Sequence, residues 1–398
     1  MGIPRWTSLL AGLALAAPLI GQAQALASSA PLTITADMPS AVPAGRNWGF
    51  NDFFPRTISV PTGATIQFAI EGFHTATLLP AGVTATADEQ AASLFKTDTD
   101  DGGTNPNGTT HSQFFVPAAL PVPFGCGSAP LPPCTFDGTS VVSSGVSFAG
   151  PPAGPFAVHV TASPGTYQFH CRIHPRMHGS LNVLSSTAEG TTSAELASAV
   201  ATQVRADVAA GHVAEAHAAN ASPRHNADGS ITWTMTAGTS GADGHVVILE
   251  MLPRNLHIRS GDSVVWRSPT PNEPHTVTFP HELFSDIVPL CEGTPDTPAI
   301  PLHNPPQSPA DFTCGGPPFP DEIEFGGGNG VDTVSSPSTV SDSGIISSQA
   351  ELDSFGMPAT ATLRTWTVHF PGASAGSYTY LCQIHPGMTG KITVVPGG

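Results

Sequence analysis

Apolar residues recur at every second position in several short runs of this chain. Ile66, Phe68 and Ile70 fall on one face of such a run, Val264 and Trp266 on one face of another, and Thr, Val and aromatic residues fill much of the remainder. A period of two marks a half-buried strand, so the chain reads as mainly β. One segment differs: Leu196, Val200, Val204 and Val208 recur every four residues, which predicts a helix over 192–220, and Thr192 and Glu195 are spaced for a capping box at its start. Residues 221–230, which follow, read as a turn-rich linker.

At the beginning of the chain, Arg5 precedes an apolar run over 9–20 and the small-residue sequence Ala23-Gln24-Ala25. That order predicts a secretory leader over 1–25. The run is too short for a membrane span, and no later stretch offers 18 consecutive apolar residues. The expected product is exported, periplasmic or extracellular, and exposed to an oxidising compartment.

The chain repeats itself. GTYQFHCRIHPRMHGSLNV at 165–183 aligns without gaps on GSYTYLCQIHPGMTGKITV at 376–394. Upstream, RTISVPTGATIQFAIEGFHTATLLP at 56–80 parallels NLHIRSGDSVVWRSPTPNEPHTVTFP at 255–280, and FAVHV and WTVHF place His159 and His369 alike. Two copies of one fold are the simplest account, with boundaries expected at 29–187 and 229–398 and a helical linker over 188–228.

Composition narrows the partners. The 13 Lys and Arg against 30 Asp and Glu leave a formal charge of −17, and Lys96 and Lys391 are the only lysines. Nucleic acid is excluded as a partner, because phosphate neutralisation needs clustered cations. The acidity favours a basic protein partner. The 41 Gly and 41 Pro argue for loop-rich β structure over a helical bundle. Oligomeric state is not encoded in any of these features.

Six cysteines fall into two kinds. Cys126 with Cys134, and Cys291 with Cys314, lie in Gly/Pro-rich stretches and read as one disulfide staple per copy. Cys171 and Cys382 each follow a strand-like run and are trailed by His and Met at fixed spacing. A thiolate, two imidazoles and a thioether can therefore converge twice: His74, Cys171, His174 and Met177 in the first copy, and His275, Cys382, His385 and Met388 in the second. Two His and one Cys with a weak axial Met suit blue copper, whereas zinc favours more Cys or an open water position. The competing readings are a disulfide between Cys171 and Cys382, and Met177 and Met388 as core fillers.

At these residues the sequence resembles the cupredoxins: Cys-x-Ile-His-Pro-x-Met-x-Gly, preceded by Gly-[Thr/Ser]-Tyr and by an upstream His, with a short loop most like that of amicyanin. The resemblance covers the strands of both halves and implies two tandem Greek-key β-sandwiches or barrels, each with one type 1 copper near one end. It also implies electron transfer as the activity, a redox protein as partner, and His174 and His385 as ligands whose edges reach the surface. Two departures stand out. Thr75 and Thr276 follow the first ligand where the family usually has Asn, and 96 and 106 residues separate first His from Cys where small cupredoxins have far fewer.

An electron carrier without a catalytic residue is the first functional reading. The alternatives are a two-domain copper oxidoreductase, resembling nitrite reductase or multicopper oxidase, and a copper-binding or storage module. An enzyme of that kind needs a further copper, and the chain has no His-x-His pair. His170 precedes Cys171, as a second-copper ligand does in related two-domain enzymes, and His178 lies close by; both read first as ordinary structural residues, as do His159 and His369.

Overall fold

Burial alternates along the strands as the period of two requires. In Thr65–Ile70 the buried side chains are Ile66 and Phe68, with Ile70 half-buried, and in Ser263–Arg267 they include Val264 and Trp266. The structure is a computed structural model that describes residues 31–92, 95–98, 112–115, 125–145, 154–283, 323–324, 331–354, 364–372 and 375–397. The expected leader, Cys291 and Cys314 lie outside the described residues.

In the first half, one sheet runs in the order Phe53–Phe54, Leu32–Ala36, Thr65–Ile70, Phe156–Val160, Cys134–Phe136. The other runs Val142–Ser143, Thr77–Leu78, Gly165–His170, His178–Leu184, Thr57–Pro61. Their inner faces meet in one core, where Phe68 of one sheet sits edge-on to Phe169 of the other at 5.3 Å between centroids. The second half repeats the plan. Ile231–Ser240, Ser263–Arg267, Thr365–His369 and Val331–Thr333 pair on one side, and Asn255–Arg259, Thr389–Val395, Gly376–Leu381, Thr278–Phe279 and Ser341–Asp342 on the other. Trp266, Trp366 and Tyr380 fill the space between them. The fold is two β-sandwiches joined by a helix.

Three α-helices occur among the described residues: α1 (Ala85–Ala92), α2 (Ser193–Ala218) and α3 (Gln349–Ser354). The capping box starts α2, with the Thr192 hydroxyl accepting from the Glu195 N–H and the Glu195 carboxylate accepting from the Thr192 N–H. Residues expected to be a linker instead form a hairpin: Ser222–His225 pairs antiparallel with Ile231–Thr234, around a turn in which Gly229 adopts φ 88°. The Asp-Gly step supplies the positive φ that a tight reversal needs.

The halves are also interleaved. Trp48–Gly49, from the first half, pairs antiparallel with Val247 and Ile248 at the edge of a second-half sheet. Trp48 is buried in a third core with Phe50, Phe54, Ala214, Val246, Ile248 and Leu252, against which Val200, Val204 and Val208 of α2 pack. Gly211 permits this approach, since a Cβ there would lie 2.5 Å from the indole of Trp48. Arg56 ties α2 down by pairing with Asp52 and, at 3.0 Å, with Asp207. Further out, Phe95–Asp98 and Ser112–Phe115 of the first half form a small sheet with Ile323–Glu324 of the second.

Trp48 thus serves as strand, core and helix seat at once. Replacing Trp48 with Ala is expected to lower stability by about 3–5 kcal/mol, as for other buried Trp truncations, measured by denaturant unfolding of the full chain.

Candidate metal centres

Each centre is built from a strand end, a tight loop and an earlier segment. Gly165–His170 delivers Cys171, whose N–H donates to the Met177 carbonyl at 3.0 Å, while the Met177 N–H donates to the His174 carbonyl at 3.3 Å. The second loop repeats both bonds, Cys382 to Met388 at 2.9 Å and Met388 to His385 at 3.2 Å. The reversal demands a left-handed residue before each Met. Gly387 supplies it at φ 73°, whereas Arg176 adopts φ 71° in the first loop.

The upstream histidine is fixed to the loop by the threonine that follows it. The N–H of Thr75 donates to Cys171 Sγ at 3.4 Å, and the Thr75 hydroxyl accepts from the Arg172 N–H at 2.8 Å. Thr276 makes the same pair of bonds to Cys382 Sγ and to the Gln383 N–H. The departure from Asn therefore leaves the sulfur with a backbone donor and the loop with a side-chain tie.

Three donors converge in each half. Cys171 Sγ lies 3.9 Å from His74 Nδ1 and 3.6 Å from His174 Nδ1, and the two nitrogens are 3.0 Å apart. In the second half the corresponding distances are 4.0, 3.5 and 3.1 Å. A point equidistant from the three atoms lies about 2 Å from each, the length of a metal–nitrogen bond. The donor set fits copper: a thiolate and two imidazoles suit a metal that accepts soft sulfur and nitrogen together. Met177 and Met388 are fully buried in the same cores, and Cys171 and Cys382 are both free thiols.

The electrostatics favour ligation. Burial opposes ionisation of both thiols, yet hydrogen bonds and charge from the two imidazoles outweigh it and hold Cys171 and Cys382 well below the usual thiol range. The thiolate is the form that binds metal.

The loop histidines do not reach the surface. His174 and His385 are each 8% exposed and turn their Nε2 atoms toward one buried carboxylate, Glu273, at 3.4 Å and 2.6 Å. Asn51 of the first half donates to the same group at 2.7 Å. Burial works against the charge on Glu273, but the two imidazoles prevail and hold its carboxyl below the ordinary range. The expected outward edges are thus closed by Glu273, which lies in the same half as His385 and in the opposite half from His174. The upstream histidines differ from each other: His74 Nε2 lies 3.9 Å from Asp37, while His275 Nε2 is buried without a hydrogen-bond partner. The latter ring rests on Gly238, φ 68°, where a Cβ would come within 2.0 Å of Nε2.

Other candidates fall outside these centres. Cys126 and Cys134 form a disulfide. His159 and His369 sit in strands, each opposite a hydroxyl residue, Thr65 and Ser263. His170 and His178 face each other across a strand pair, beneath Asp88 and Glu89 of α1. Glu273 carries no signal in the repeat, because it stands where the first copy has Gly72, two residues before each upstream histidine.

No protein-family model matches the chain, and no curated protein does. Among solved structures it is similar to oxidised plastocyanin from Dryopteris crassirhizoma, at 20% identity over 38% of this chain and 99% of that chain, with a TM-score of 0.18. It is similar to reduced auracyanin from Roseiflexus castenholzii, at 20% identity over 39% of this chain and 98% of that chain, with a TM-score of 0.21. A Cu-containing nitrite reductase from Thermus scotoductus aligns at 13% identity over 86% of this chain and 60% of that chain, with a TM-score of 0.18. Scores of this size leave the reading of the site to its own donors and distances.

Two outcomes follow from the geometry. Arg176→Gly is expected to stabilise the chain by about 0.5–1 kcal/mol, since it relieves a left-handed non-glycine residue but adds unfolded-state entropy; denaturant unfolding reads this. Glu273→Leu is expected to weaken copper retention at both centres by about 10-fold or more, the usual effect of removing a ligand's outer partner, in competition with a chelator.

Proposed function

We propose that the chain is an exported copper protein of the electron-carrier class, with one type 1 copper in each sandwich. The observation that carries this reading is the recurrence of one donor triangle, Cys with two His through Nδ1, at distances that agree between the halves to 0.1 Å. His74, Cys171 and His174 would hold the first copper and His275, Cys382 and His385 the second, with Met177 and Met388 as axial groups. Copper in such a set supplies a one-electron couple.

The protein's own contribution is to fix the donors and exclude water. All six donor residues are at most 8% exposed, which suits a closed coordination sphere more than the open position that a substrate-binding metal needs. Loop carbonyls, the Thr hydroxyls and Glu273 hold the ligands in place before metal arrives, and Pro175 and Pro386 stiffen the loops by fixing φ. With a formal charge of −17, the surface suits a basic redox partner. Export rests on the leader expected over 1–25; among the described residues no helix is long and apolar enough to cross a membrane.

The test is copper stoichiometry with visible and electron-paramagnetic-resonance spectra. Two coppers with intense thiolate absorption are expected; Cys171→Ser and Cys382→Ser should each remove one contribution. Gly238→Ala should abolish only the second, through displacement of His275. A single coloured site in the parent protein, or colour surviving both Cys substitutions, would overturn the two-centre reading.

A further inference from the structure

Among the described residues outside the two centres, one cluster of donors is confined to the first half. His170 and His178 are directly opposed on neighbouring strands, with ring centroids 6.2 Å apart. The equivalent pair in the second half is Leu381 and Thr389, which cannot form such a cluster. Over the two rings lies α1, a helix in the long segment between His74 and Cys171, which brings Asp88 and Glu89. Glu89 Oε1 is 2.5 Å from His178 Nε2 and 3.8 Å from His170 Nδ1, and one ligand atom from each of the three residues lies within 4.8 Å of the others.

The arrangement is more than a set of ion pairs, because one buried ring nitrogen of His170 has no hydrogen-bond partner. Its Nε2 meets Asp88 Oδ2 at 2.9 Å, and Asp88 is anchored in turn by Arg172 through Nε at 2.6 Å and Nη2 at 2.8 Å. The other ring nitrogen, Nδ1, is fully buried, has no hydrogen-bond partner, and faces the Glu89 carboxylate across a gap too long for a hydrogen bond. Two potential ligand atoms confronting each other at 3.8 Å leave room for a cation about 2 Å from each. An imidazole whose other nitrogen donates to a carboxylate is also the usual setting of a metal-binding histidine.

We propose that Glu89, His170 and His178 form a third metal site, for a first-row divalent cation bound by two imidazoles and one carboxylate. Asp88 is its positioning residue. Unlike the two buried centres, this one is open on one side, since the His178 side chain is 32% exposed. Three protein ligands with an open flank leave positions for water or a small ligand. The absence of sulfur separates it spectroscopically from the Cys171 and Cys382 centres.

The experiment is a Co²⁺ titration of the full chain loaded with two equivalents of copper, followed by ligand-field absorption and elemental analysis. One Co²⁺ per chain is expected without sulfur charge-transfer absorption. Binding should be lost in Glu89→Gln and in His178→Ala and weakened about 10-fold or more in Asp88→Asn, with the copper–thiolate absorption intact in all three. No cobalt beyond the copper centres, or equal affinity in the parent, Glu89→Gln and His178→Ala proteins, would overturn the proposal. If Glu89→Gln disturbs the first copper loop, the partly exposed His178→Ala decides. Should copper not occupy the thiolate centres, cobalt taken up there would show sulfur absorption, so failure of the copper reading is distinguishable from failure of this one.

Discussion

A single ionised carboxylate, Glu273, lies buried between two imidazoles that belong to different halves of the protein. Leaving such a charge without partners costs several kcal/mol, so both ligand loops must close upon it. His385 approaches from its own half and His174 from the other, and Asn51 takes part of the remaining hydrogen-bonding capacity. The relative placement of the sandwiches is therefore tied to the ligand geometry. The edge strand Trp48–Gly49, the Arg56 to Asp207 link and the packing of α2 support that placement from farther away. Asn47, next to Trp48, even donates to the carbonyl of Pro386 in the second loop.

Duplication preserved the donors and changed their surroundings. The triangles of sulfur and nitrogen are nearly identical, but His74 has Asp37 behind it and His275 has only Gly238. Outer partners set the basicity of a ligating imidazole. The two centres thus share a coordination set and differ in how firmly one ligand is polarised. The first half also carries α1, with its carboxylates against His170 and His178, while α3 in the second half brings Glu351, which burial and then the nearby Glu273 charge push well above the usual carboxylate range.

Much of this was legible in the sequence where the physics is local. Alternation in Thr65–Ile70 and Ser263–Arg267 marks strands because one face of each is buried, and Thr192 with Glu195 marks the start of α2 because helix ends need acceptors for their free N–H groups. The approach of each Cys to its loop His was readable because both lie within one short loop. What escaped depends on contacts distant along the chain. Glu273 occupies a position where the copies diverge, so comparing them for likeness hides it. Ser222–His225 has no apolar alternation, and all four residues are exposed; its turn, not its side chains, makes it a strand. The surface edge expected of His174 and His385 is closed by Glu273, a carboxylate distant along the chain from both loops.

That Trp48–Gly49 completes a sheet of the opposite half has a consequence for the halves taken separately. A gene cut between the repeats would yield a carboxyl-terminal fragment whose Val247–Leu252 strand presents a bare ladder of amide and carbonyl groups, an invitation to pair with a neighbour's backbone. Joined, the two halves close that edge within one molecule.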